Sequence, residues 1–176
     1  APLALGVTGC QRGAGVSTVA TNLALAANQL CGPPTLLVDA NHGQSGAAGL
    51  LQMPGAWGLW DLLEGQASFG ECLHPTEMEG LTLLPRGGSP PSAATLPAHR
   101  LAPLLEQFRG EFELTLFDLP PVTQLHEQAS FLAALDGVLL VVEAGRARRI
   151  EVEQARDQLL AWQARLLGIV INKQRE

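Results

Sequence analysis

The chain alternates between short apolar runs and longer stretches in which apolar residues recur at every third or fourth position. Residues 3–7, 35–39, 81–84, 113–118, 137–142 and 166–171 read as strands. Several are apolar throughout, as strands buried on both faces of a parallel sheet must be. Residues 17–30, 59–64, 97–109, 125–135 and 147–162 read as helices. In the first, Val19, Leu23, Ala27 and Leu30 share one helical face, and in the last Val152, Ala155, Leu159 and Trp162 do. This alternation predicts an α/β fold: a doubly wound, mainly parallel sheet between two layers of helices. Residues 84–97, LPRGGSPPSAATLP, are rich in Pro, Gly and Ser and follow a strand. They are expected to form a loop at the carboxyl edge, where open α/β sheets bind ligands.

At 176 residues, 47% hydrophobic and 16% charged, the chain suits a single domain, residues 1–176, with a sizeable core. Its net charge of −6 argues against a nucleic-acid surface, which needs a basic stripe. The one basic cluster, AGRARR at residues 144–149, reads as a solvated helix start. Cys10, Cys31 and Cys72 form no C-x-x-C pair and are odd in number, which fits a reducing cytoplasm better than a disulfide framework or zinc site. His42, His74, His99 and His126 are scattered without ligand spacing. No run approaches the roughly 20 apolar residues that cross a bilayer. The chain begins at Ala1, directly ahead of a strand, and reads as a piece of a longer protein.

Candidate chemistry starts at GCQRGAGVSTVATNLALAA, residues 9–27. A strand, a glycine-rich turn and an alanine-rich helix form the setting of a phosphate loop, G-x-x-x-x-G-K-[ST]. In such loops backbone N–H groups and the helix dipole hold phosphates, the lysine reaches the outer ones, and the hydroxyl meets magnesium. Gly13, Ala14, Gly15, Ser17 and Thr18 keep the cradle, but Cys10 stands for the first glycine and Val16 for the lysine. Arg12, inside the loop, is a candidate replacement cation. Two other readings stay open: a turn that merely joins strand to helix, and a dinucleotide fingerprint of which only Gly13 and Gly15 are present, with Asp39 as the ribose acid. TLLVDAN and LTLFDLPP each end a strand on an acid, Asp39 and Asp118. Such acids hold magnesium or its water shell, or else cap the following turn.

With these residues in hand, the chain resembles the bacterial tyrosine kinases of capsule and exopolysaccharide synthesis. These belong to the deviant-loop branch of P-loop NTPases that includes the division-site and plasmid-partitioning ATPases. The likeness runs through GVSTVATNLALAA, LLVDANHGQSGAAGLL, GLWDLLEG, LTLLPRGGSPPSAATL, FELTLFDLPPV, DGVLLVVEAGRARRIEV and LLGIVINK, in order and over nearly the whole chain. It implies that Gly13, Ala14, Gly15, Val16, Ser17 and Thr18 wrap ATP or ADP phosphates, with Ser17 on magnesium. It further implies that Asp39 serves metal and incoming hydroxyl, that Asp118 supports magnesium through water, and that Asn172 lies near adenine. Partners implied are a membrane-embedded polysaccharide co-polymerase or sister kinase subunits, with a homo-oligomer and a cytoplasmic location at the inner membrane face.

The chain departs from that family at Val16, at Asn41 in place of a second acid, and in having no tyrosine at all. The expectation is a degenerate, regulatory or scaffolding member with weak or lost nucleotide binding. The alternative is an active ATPase or protein kinase that draws on another cation. The only lysine, Lys173, is expected at the base end of the site.

Overall fold

A computed structural model describes residues 1–32, 34–41, 46–53, 57–88 and 98–173. The elements in chain order are β1 (Leu3–Gly9), α1 (Val16–Cys31), β2 (Thr35–Asp39), α2 (Ala47–Leu50), α3 (Leu59–Glu64), α4 (Phe69–Cys72), β3 (His74–Pro75) and β4 (Leu81–Leu84). Then follow α5 (Ala98–Glu111), β5 (Leu114–Asp118), α6 (Ala129–Ala134), β6 (Gly137–Glu143), α7 (Arg149–Ala161) and β7 (Leu166–Asn172). The seven strands lie in the order β3-β4-β2-β5-β1-β6-β7, parallel throughout except for the short β3. The doubly wound α/β fold expected from the pattern is the fold observed, with every predicted strand present.

Alternation along the strands sorts side chains into two cores. Leu36, Val38, Phe117, Val138 and Leu140 face one side, against Leu59, Trp60, Leu105, Phe108, Leu132 and Leu159 from α3, α5, α6 and α7. Val7, Leu37, Leu83, Leu116 and Val141 face the other, against Ala20 and Ala24 of α1 and Ala47 of α2. Because α1 presents alanines, its axis sits close to the sheet and its N-terminus meets the strand ends. The loop after β1 and the end of β2 lie at that carboxyl edge. The larger core is organised by Phe117, whose ring lies edge-on to Phe131 at 5.1 Å and tilted against Phe108 at 6.0 Å.

One predicted helix differs. Residues 125–135 hold a 3₁₀ turn, His126–Gln128, and only the short α6, after a first 3₁₀ turn at Val122–Gln124. Pro121 fixes the entry, and Gln124, Leu125 and Gln128 donate to carbonyls three residues back, at 2.8, 3.0 and 3.1 Å. Apolar spacing does not distinguish that tight path from an α-helix. The elements α2, α4 and β3 are too short to show a period. Part of the predicted loop at 84–97, and His42, lie outside the described residues. Among the described residues no helix is long and apolar enough to cross a membrane.

Phe117 is fully enclosed, so truncation leaves a cavity between the sheet and α5. Phe117→Ala should destabilise the fold by about 3–5 kcal/mol, read as a lowered urea midpoint. An unchanged midpoint would contradict this account of the core.

Candidate nucleotide-binding site

The loop between β1 and α1 begins at the sheet's centre. Gly15, the residue before the helix, has φ 89, a conformation open to glycine at little cost. A side chain there would also be blocked, because a Cβ would sit 2.1 Å from Nδ2 of Asn172. Asn172 ends β7 and donates to the Ala14 carbonyl at 2.9 Å, while Lys173 Nζ donates to the Gly13 carbonyl at 2.5 Å. Two consecutive loop carbonyls are thus held by the segment after β7. Among the described residues, the amide groups of residues 13–18 meet no protein acceptor. Unpaired amides at the start of a 16-residue helix form an anion cradle.

Val16 does not enter that cradle. It is 6% exposed and packs below the loop with Val7, Ala14 and Ala20. Cys10 is likewise turned into the larger core. Ser17 is partly buried at the helix start and Thr18 is exposed. Arg12 is exposed and points toward the turn after β5, where its Nε and Nη2 lie 3.1 and 3.3 Å from the Gln124 side-chain amide, which accepts from them when turned to present its oxygen.

Asp39 and Asp118 are register partners at the ends of β2 and β5, which places two carboxylates side by side next to the loop. Both are enclosed, at 3% and 0% exposure. Asp39 accepts the Asn41 amide at 3.2 Å through Oδ1 and the Ala48 amide at 3.1 Å through Oδ2. It therefore caps α2, and Gly46 is glycine because a Cβ there would lie 2.2 Å from Asp39 Oδ2. Burial raises the Asp39 carboxyl, against the two amides and the charge of Arg86, the residue two past β4. Asn41 Nδ2 reaches Asp118 Oδ1 at 3.3 Å and Ser17 Oγ at 3.5 Å, so it bridges the acid and the hydroxyl that the sequence reading put together.

Among the described residues, Asp118 Oδ2 is buried without a donor at hydrogen-bond distance. Burial pushes its carboxyl up to about 7; the Ser17 hydroxyl pulls it down, the Asp39 charge adds to the rise, and Asn41 and the Ala47 amide again lower it. An enclosed carboxylate with a spare oxygen, beside a second carboxylate and a hydroxyl, is a hard-oxygen donor set that fits magnesium, directly or through its waters.

The sequence named the loop, Ser17, Asp39, Asp118 and Asn172 as candidates, and the structure gathers them at one edge. It missed Asn41 as the bridge and Arg86 beside Asp39. Lys173, expected at the base end, has its ammonium on the loop carbonyl of Gly13. No local pattern marked these residues, since each acts across the sheet.

The fold and this edge define the class. The chain superimposes on MinD of Pyrococcus horikoshii complexed with Mg-ADP, with a TM-score of 0.80 at 20% identity over 97% of this chain and 70% of that one. It is a P-loop NTPase fold of the MinD type. It superimposes more closely on the chimerical protein CapA2B2, with a TM-score of 0.89 at 27% identity over 100% of this chain and 78% of that one. The chain belongs to the bacterial capsular tyrosine-protein kinase family: it is 34% identical over 174 residues to tyrosine-protein kinase CpsD of Streptococcus agalactiae, spanning 98% of this chain and 76% of that protein. It is also 30% identical over 165 residues to the succinoglycan biosynthesis transport protein ExoP of Rhizobium meliloti, covering only 21% of that protein. No protein-family model matches the chain.

The pH dependence of stability follows from Asp118. Its folded value of about 7 lies above the ordinary 3.8, so the folded form binds more protons than the unfolded form between those values. The cost of the buried charge is absent below that window, grows as pH rises through it, and is complete above. Asp118→Asn should stabilise the fold at pH 8 by on the order of a few kcal/mol, read as a raised urea midpoint, and change it little at pH 4. Equal midpoints at pH 8 would contradict a buried charge there.

Proposed function

We propose that this chain is a single P-loop domain that has kept an ATP pocket in outline and lost efficient phosphotransfer, and that it acts as a regulatory or scaffolding module in exopolysaccharide synthesis and export. The observation that carries the reading is Val16, which lies in the core where the loop's lysine would reach for phosphate. The amides of Gly13, Ala14, Gly15, Val16, Ser17 and Thr18 would receive the phosphates, with Asn172 at the base. Ser17, Asp39 and Asp118 would hold magnesium, which when bound offsets phosphate charge.

Magnitudes favour a binder over a catalyst. A charge-assisted hydrogen bond contributes about 1.5–3 kcal/mol, so its loss weakens binding by about ten- to a hundredfold. In the transition state a missing preorganised donor costs about 10²–10³ in rate, and a missing cation in phosphoryl transfer up to about 10⁵. The chain also has no tyrosine to serve as its own acceptor. Kinship with CpsD and with a polysaccharide transport protein supports docking on a membrane-embedded co-polymerase or on related kinase subunits, in the cytoplasm at the membrane face. A second reading, an active ATPase or protein kinase using another cation, is favoured by one observation: Lys173 and Arg146 both approach Gly13.

Calorimetric titration with ATP and magnesium should show weak saturable binding with turnover at background. Turnover that disappears in Asp39→Asn, a variant that keeps the side chain's shape, would overturn the first reading in favour of the second. Val16→Lys should tighten ATP binding by about ten- to a hundredfold, since the new ammonium can extend from the helix start to the cradle. Unchanged affinity would show that the loop no longer has phosphate-binding geometry.

A further inference from the structure

Positive charge reaches the phosphate loop from the opposite half of the sheet. Lys173 follows β7 with φ 57, and this left-handed turn brings its side chain back over the loop. Its Nζ donates to the Gly13 carbonyl, and its Cε is 3.8 Å from where a Cβ on Gly15 would be. Arg146, in the turn after β6, brings Nη1 within 3.5 Å of where a Cβ on Gly13 would be. Glu143, the last residue of β6, joins the two: its Oε2 is 3.3 Å from Arg146 Nη1 and 3.6 Å from Lys173 Nζ. Two cations and one carboxylate leave a single net positive charge beside Gly13, the charge that a lysine at position 16 would have brought.

Stability does not account for this cluster. The Lys173 and Arg146 side chains are 47% and 61% exposed, and ion pairs that open to water contribute little to folding. Glu143 is 16% exposed, so it acts as a fixed counterion while the long side chains above it stay adjustable. Of the other cations near the site, Arg12 is directed to the Gln124 side-chain amide and the charge of Arg86 acts on Asp39. We infer that Lys173 and Arg146, poised by Glu143, supply the phosphate-binding cation that the loop lacks, for the polyphosphate of a nucleoside triphosphate. This inference rests on the nucleotide pocket proposed above. On ligand entry the phosphate oxygens replace the Glu143 carboxylate as the stronger partner, as a forked guanidinium and a three-donor ammonium allow.

The test is calorimetry on the intact chain with magnesium and four probes: ATP, ADP, AMP and inorganic tripolyphosphate. Lys173→Met with Arg146→Gln should weaken ATP and tripolyphosphate by about ten- to a hundredfold and leave AMP nearly unchanged. Lys173→Arg should retain most of the affinity, and Glu143→Gln should tighten tripolyphosphate by removing the competing carboxylate. Unchanged ATP affinity in the double variant, or equal losses for ATP and AMP, would overturn the inference and leave the pocket standing. A wild-type chain that binds none of the four probes would overturn both. Thermal melts on the same samples confirm that each variant is folded.

Discussion

Asp39 and Asp118 occupy partner positions at the ends of β2 and β5, so the pairing of two central strands fixes their backbones side by side. Two adjacent acids enclosed at the sheet edge are a standing electrostatic cost, visible in the upward displacement of both. The surroundings offset that cost in part. The Asn41 and Ala48 amides and the Arg86 charge favour ionised Asp39, while the Asn41 side chain and Ser17 favour ionised Asp118. Among the described residues Asp118 Oδ2 keeps no donor, the one part of that cost the surroundings leave unmet.

The loop is shaped by the same edge from the opposite direction. Asn172 and Lys173 take up the carbonyls of Ala14 and Gly13, so the end of β7 is a structural part of the loop between β1 and α1. This explains how the cradle keeps its form although Val16 has turned inward. The apolar side chain gains burial between β1 and α1, a gain that a lysine reaching for the cradle would forgo. The helix start thus carries no cation of its own, while Lys173, after β7, and Arg146, in the turn after β6, stand beside Gly13. Long exposed side chains are less preorganised than a lysine rooted in a loop.

Much of this was readable from residue order. The apolar runs announced the parallel strands, and the glycine spacing at Gly13 and Gly15 announced the loop. The strand-end acids Asp39 and Asp118 were evident because strand ends can be counted from the apolar pattern. The path after Asp118 was not, since Pro121 converts an apparently helical stretch into 3₁₀ turns with the same apolar spacing. Asn41 looked only like a lost acid, and its bridging role depends on β2 and β5 being neighbours.

By itself the order of residues determined the α/β class, the loop with its missing lysine, the absence of tyrosine and the family likeness, because these depend on local spacing and identity. Tertiary structure alone decided that Val16 is sequestered, that Asn41 joins Ser17 to Asp118, and that Lys173 and Arg146 meet at Gly13. The last two join residues far apart in the chain. Only the placement of β1 between β5 and β6, with β7 closing the edge, brings them within hydrogen-bonding reach.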